Sequence, residues 1–208
     1  MDLENRVIFG GTFDPVHNGH FEIASDILHE FNLSTIYMLP CNIAVHKNVN
    51  TTAEQRIKML TAATEGHPYI KIDDREIKRK GKSYMIDTLK SIKEENKSEN
   101  IILVIGSDSL NNFHTWKNWL QILQLANIIV APRNGHKINP CTKISTQITA
   151  CKDELAKTRH GLIYILRKQY EDISSSYIRD KMSTKTEMKN LINEKVYEII
   201  KTERLYNN

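Results

Sequence analysis

Glycine and proline are scarce, at 8 and 5 in 208 residues, which excludes a collagen repeat and a low-complexity chain. Cysteine is scarcer still. Cys41, Cys141 and Cys151 leave one over in any disulfide scheme and show no C-x-x-C spacing, so a reducing compartment is expected rather than a disulfide scaffold. No stretch approaches the roughly 18 apolar residues of a membrane span. The opening MDLENRVIFGG has no cationic segment followed by a long apolar run, so a cytoplasmic protein without a membrane partner is expected. Strong charge of one sign is also missing. Lys and Arg number 29 against 25 Asp and Glu, a balance of +4, and they are scattered rather than gathered into an aromatic-studded stripe, which disfavours a nucleic-acid-binding module. No G-x-G-x-x-G or G-x-x-x-x-G-K-[ST] follows the first apolar run, which disfavours a dehydrogenase and a P-loop kinase.

What is present is the composition of a globular chain, 40% hydrophobic and 26% charged. No internal repeat or linker-like composition divides it, so residues 1–208 read as a single domain, long enough to bury a core without metal or disulfides. A homo-oligomer stays open. Short β-branched runs recur at residues 6–10, 35–39, 70–73, 101–105, 127–131 and 162–166, several of them apolar at successive positions, as strands covered on both faces must be.

Helical patterns lie between these runs. Phe21, Ala24, Ile27, Leu28 and Phe31 make one stripe, and Ile86, Leu89 and Ile92 another. Thr52 to Gln55 has capping-box form ahead of Ile57, Leu60 and Ala63, with Gly66 at the expected stop. Trp116, Trp119, Leu120 and Leu123 predict a further helix, and residues 134–161 a mixture of loop and helix. Ser174 to Ser176 reads as a helix start. Thr184-x-x-Glu187 offers a second capping box, before an amphipathic helix carrying Met188, Leu191, Ile192, Val196, Ile199 and Ile200. Alternating strands and helices predict an α/β, Rossmann-like, doubly wound and mainly parallel sheet with helices on both faces and a C-terminal helical segment.

The first strand runs into Gly10-Gly11-Thr12-Phe13-Asp14-Pro15-Val16-His17-Asn18-Gly19-His20, and a helix follows. In an open parallel sheet, ligands bind beyond the C-terminal strand ends, where a helix start offers free N–H groups to an anion. Gly10 and Gly11, without Cβ atoms, let a phosphate approach the backbone closely. His17 and His20 share one side of the first turn and can donate hydrogen bonds to phosphate, or offset its charge when protonated. A metal-binding H-x-x-H pair is the weaker alternative, since no nearby Cys or Glu completes a zinc site.

GGTFDPVHNGH resembles the signature of the nucleotidyltransferase superfamily with a GxFDPxHxGH-type motif, whose members move AMP or CMP from a nucleoside triphosphate to a phosphorylated acceptor. Residues 39–47 (LPCNIAVHK), 81–89 (GKSYMIDTL), 106–119 (GSDSLNNFHTWKNW), 131–136 (APRNGH) and 173–179 (ISSSYIR) follow in the order of its nicotinate-nucleotide adenylyltransferase family. The resemblance implies adenylyl transfer from ATP to nicotinate mononucleotide, with Mg²⁺ carried on the ATP phosphates and no metal held by protein side chains. Another acceptor within the superfamily, such as phosphopantetheine, or a cytidylyl transfer, is the nearest alternative.

The site residues follow from the same resemblance. It implies that Gly10, Gly11, Thr12 and Phe13 form the phosphate loop, that His17 and His20 meet the α-phosphate, and that His20 stabilises the transition state. Ser174, Ser175, Ser176 and Arg179 match the triphosphate-binding motif; taken alone they read as a serine cap and a solvated arginine. Lys47 matches a phosphate-reaching lysine, in a segment here without its usual prolines. Tyr84, Met85, Asp108, Trp116 and Arg133 are implied to bind the nicotinate nucleotide, with Trp116 stacking on the pyridine and Trp119 in the core. Met85 stands where threonine is usual, so recognition of the nicotinate carboxylate through backbone N–H groups survives and recognition through a hydroxyl does not.

Overall fold

The computed structural model describes residues 5–45, 49–181, 188 and 190–206. In chain order the elements are β1 (Asn5–Gly11), α1 (Asn18–Glu30), β2 (Ile36–Pro40), α2 (Ala53–Thr64), β3 (Ile70–Ile72), α3 (Arg75–Arg79), α4 (Met85–Glu95), β4 (Asn100–Gly106) and α5 (Ser107–Asn111). They continue with α6 (Trp119–Leu123), β5 (Ala126–Ala131), α7 (Thr142–Ser145), β6 (Ile148–Thr149), α8 (Lys152–Lys157), β7 (Ile163–Ile165), α9 (Ser175–Lys181) and α10 (Glu194–Thr202). The strands form one sheet in the order β3-β2-β1-β4-β5-β7-β6, and every neighbouring pair is parallel. This is the expected doubly wound α/β fold.

Alternation of side chains along the strands sends odd and even positions to opposite faces. Val7, Phe9, Met38, Ile102, Val104 and Ile129 meet α1, α2 and α10 on one side. Ile8, Leu39, Leu103, Ile105, Ile128 and Val130 meet α4, α5 and α6 on the other. All of β5 and all but the last residue of β4 are buried, which explains the apolar runs Ile101–Ile105 and Ile128–Ala131. The chain fills one half of the sheet through β3 and returns at β4 beside β1, so the strand order reverses between β1 and β4. A crevice opens there at the C-terminal strand ends.

The capping box of α2 forms as expected, with Gln55 N–H on Thr52 Oγ1 at 3.2 Å and Thr52 N–H on Gln55 Oε1 at 3.0 Å. Gly66 follows the helix at φ +85°, a conformation that favours glycine. Other expectations need correction. The tryptophan stripe is not one helix: a short 3₁₀ turn, Phe113–Thr115, comes first, Asn118 breaks the path at φ 53°, and Leu120 is 52% exposed on α6. Residues 134–161 contain an edge strand, β6, besides α7 and α8.

The five-residue α3 was not anticipated. The last helix begins only at Glu194, where Asn193 Oδ1 accepts the Lys195 N–H at 2.8 Å, so Leu191 and Ile192 precede it instead of lying within it. The Thr184–Glu187 capping box lies outside the described residues. Among the described residues no helix is long and apolar enough to cross a membrane.

Candidate active site

β1 ends in the glycine pair at the crevice. A Cβ on Gly11 would come within 2.7 Å of the buried Phe13 ring, so close approach favours glycine there, whereas one on Gly10 would come within 3.1 Å of Met85 Cε, the end of a flexible side chain. Gly10, Gly11 and Thr12 line a cavity of about 520 Å³, which continues over Tyr84 and Met85 at the start of α4, Asp108 on α5, and Trp116. Phe13 does not face this space. Its ring is buried, packed edge-on against Phe9 and His20, so of the expected phosphate loop it shapes the turn and offers a ligand no side-chain surface.

His17 caps α1 and is 4% exposed. Its backbone N–H donates to His20 Nδ1 at 3.2 Å, and the two rings stack with centroids 3.7 Å apart. That bond makes Nδ1 of His20 an acceptor and places the proton of the neutral ring on Nε2, the donor atom of that ring. Burial, with the like charges of His20 and Arg133, pushes the His17 imidazole well below the ordinary histidine range. The expectation that His17 offsets phosphate charge as a cation is therefore corrected: near neutral pH it is an uncharged ring.

The segment 173–179 lies against this loop. Ser175 Oγ donates to Pro15 O at 2.9 Å, Arg179 donates from one Nη to Asp14 O at 2.7 Å, and Ile173 packs near Gly19. Ser174 Oγ accepts the Tyr177 N–H at 3.1 Å, as a cap should, and Ser176 Oγ accepts from the other Nη of Arg179 at 3.1 Å. The Ser175 hydroxyl and much of the Arg179 guanidinium thus hold the first loop, a role the sequence reading did not give them. Lys47 lies outside the described residues.

On the opposite rim, Asp108 is the second residue of α5 and does not cap it; Gly106 does. Its carboxylate pairs with Arg133 at 3.3 Å and with His136 Nδ1 at 3.0 Å, while His136 Nε2 reaches Asp172 at 3.2 Å. Both carboxylates raise the His136 pKa, the hydrogen bond that Asp172 accepts most of all. Arg133 therefore faces Asp108 and is not among the residues lining the cavity. Trp116 lines it, half-buried against Phe113 with ring centroids 5.2 Å apart, whereas Trp119 packs behind Phe113.

Two groups escaped the sequence reading. Asp14, buried, accepts the Thr51 hydroxyl at 2.6 Å, the Tyr206 hydroxyl at 2.7 Å and the Asn50 N–H at 3.1 Å. Arg56 is 1% exposed and has no ion pair among the described residues; it donates to Thr12 O at 2.9 Å, Cys41 O at 2.6 Å and Asn42 O at 2.7 Å. A signal for it existed, since Arg56 shares the buried stripe of Ala53, Met59, Leu60 and Ala63.

A family model described as cytidylyltransferase-like matches residues 8–181. The chain belongs to the cytidylyltransferase-like family. Within it, a "probable nicotinate-nucleotide adenylyltransferase" of Legionella pneumophila (strain Lens) is 36% identical, covering 98% of this chain and all of the relative. One of the same name from Idiomarina loihiensis is 32% identical over 97% of this chain and 99% of its own length. These full-length matches place the chain in the nicotinate-nucleotide adenylyltransferase branch, a group of nucleotidyltransferases. Among solved structures, Plasmodium falciparum nicotinic acid mononucleotide adenylyltransferase complexed with NaAD superposes with a TM-score of 0.77 over 98% of this chain and 97% of its own. At 20% identity that likeness speaks for the shared fold.

Proposed function

We propose that this family member transfers the adenylyl group of ATP to nicotinate mononucleotide, yielding nicotinate adenine dinucleotide and pyrophosphate. The observation that carries the reading is the pair of hydrogen bonds that ties Ser175 and Arg179 to Pro15 and Asp14, setting two phosphate-type segments side by side, the first of them continuous with Gly10–Thr12 in the wall of a cavity that Tyr84 and Trp116 also line. A polyanion and a flat ring are the ligands that such a pair of half-sites accepts.

The acceptor phosphate oxygen attacks the α-phosphorus of ATP; a new P–O bond forms as the bond to the β-phosphate oxygen breaks, and pyrophosphate leaves in line. No protein nucleophile is required. The protein aligns the two substrates and stabilises the charge that develops on the α-phosphate oxygens. His20 supplies an Nε2–H donor held in place by the His17 backbone. His17, uncharged, contributes ring packing and backbone geometry. Ser174, Ser176 and Arg179 take the distal phosphates. Mg²⁺ would be carried on the ATP phosphates, where it would offset part of their charge.

Pyrophosphate release measured in parallel with nicotinate mononucleotide, its amide counterpart and phosphopantetheine tests the reading. The highest kcat/KM is expected with the nicotinate nucleotide. Activity with phosphopantetheine alone would move the acceptor elsewhere in the superfamily, and no activity with either pyridine nucleotide would overturn the assignment.

A further inference from the structure

The acid and amide forms of a pyridine nucleotide differ in one negative charge on the ring substituent. A protein that prefers the acid needs a donor or a cation beside that substituent. Position 85, in the cavity wall, is methionine, so no hydroxyl is available from it. Glu76 and Asp108, both acidic, are in the cavity wall and disfavour an anionic ligand unless something offsets them. Glu76 is buried and accepts the Thr88 hydroxyl, and burial pushes its carboxyl pKa up. Arg133 is paired with Asp108 outside the cavity wall.

Among the described residues lining the cavity, the one basic side chain is Lys117, next in sequence to Trp116. Its Nζ lies 4.4 Å from the centre of the Tyr84 ring and 3.3 Å from Asp87 Oδ2, so a cation–π contact and an ion pair together hold the ammonium against the wall. At 46% exposure it remains able to turn toward a ligand. Tyr84 is the N-cap of α4 and Asp87 lies in its first turn, and Tyr84 and Met85 both line the cavity.

We propose that Lys117 is the residue by which this chain distinguishes the acid from the amide nucleotide: its ammonium meets the ring carboxylate of a pyridine seated between Trp116 and Tyr84. This rests on the pyridine-nucleotide reading above. Asp87 keeps the ammonium positioned while the site is empty, and the substrate carboxylate becomes its second anionic partner.

The test is kcat/KM for both nucleotides, with saturating ATP, in the wild type, Lys117→Met and Lys117→Arg. Charge-assisted hydrogen bonds of this kind change affinity by about tenfold or more, so Lys117→Met is expected to lower the acid-to-amide ratio by about that factor. Lys117→Arg is expected to keep most of the ratio. The wild-type ratio is expected to shrink as salt rises, because screening weakens a half-exposed charge pair; a purely structural lysine would move both substrates together and show no such salt dependence. A ratio unchanged in Lys117→Met, or equal losses on both substrates, overturns this inference and leaves the proposed function standing. A wild type inactive on both pyridine nucleotides overturns the proposed function and this inference with it.

Discussion

His17 is buried as an uncharged ring, and that burial couples folding to pH. In the unfolded chain it titrates near the ordinary histidine value of about 6.5; in the folded protein its pKa lies well below that. Below about pH 6.5 the unfolded state therefore binds a proton that the native state refuses, so the stability contributed by neutral His17 is present above that pH and lost as pH falls toward the native value. His136, whose native pKa is raised, contributes with the opposite sign, favouring the folded state at lower pH. The difference between wild type and His17→Asn isolates the first group. Between pH 7.5 and pH 5.5 the Tm of the wild type is expected to fall further than that of the variant, and parallel falls would contradict the burial of a neutral ring. At this scale the sequence was informative where chemistry is contiguous. Gly10 to His20 could be read as the turn from a strand into a helix because eleven successive residues carry the pattern. The inversion of roles at His17 could not, because its burial depends on how α1 packs against residues distant in sequence, Ile173 among them.

Elements far apart in the chain converge on the loop between β1 and α1. Arg56 on α2 holds the carbonyls of Thr12, Cys41 and Asn42, α9 holds Asp14 and Pro15, and the turn after α10 brings Tyr206 to the Asp14 carboxylate. Such bonds, spanning up to 192 positions, leave no trace in local pattern or propensity. Removing the phenol in Tyr206→Phe deprives a buried carboxylate of one of its partners, a loss of about 1–3 kcal/mol. Chemical denaturation is expected to show a lower midpoint with an unchanged slope, together with reduced kcat; an unaltered midpoint would mean that Tyr206 does not restrain the loop. The same scale explains the errors in element prediction. The tryptophan stripe had helical spacing, but the left-handed Asn118 interrupts it, and this turns Trp116 toward the cavity while Trp119 goes behind Phe113. β6, two residues long, has no period to detect. α3 was hidden because a single inward residue, Glu76, makes no stripe.

The whole molecule was the most legible level. Apolar runs separated by amphipathic stripes specify strands buried on both faces, and right-handed crossovers then leave few arrangements besides a doubly wound sheet. The order β3-β2-β1-β4-β5-β7-β6 puts the ends of β1 and β4 at the switch point, so the two loops that carry the glycine pair and Asp108 must face one crevice. What the sequence left open was how the third segment, residues 173–179, meets the loop after β1, and the bonds to Asp14 and Pro15 answer it. The proposed mechanism requires that a preorganised donor at His20 acts on the α-phosphate during transfer and not merely on bound ATP. Steady-state turnover of His20→Ala, alongside its ATP dissociation constant, tests this most directly. Loss of a transition-state donor is expected to lower kcat by about a hundredfold while the ATP Kd stays within about threefold of wild type. Near-normal kcat, or a loss confined to ATP binding, would contradict it.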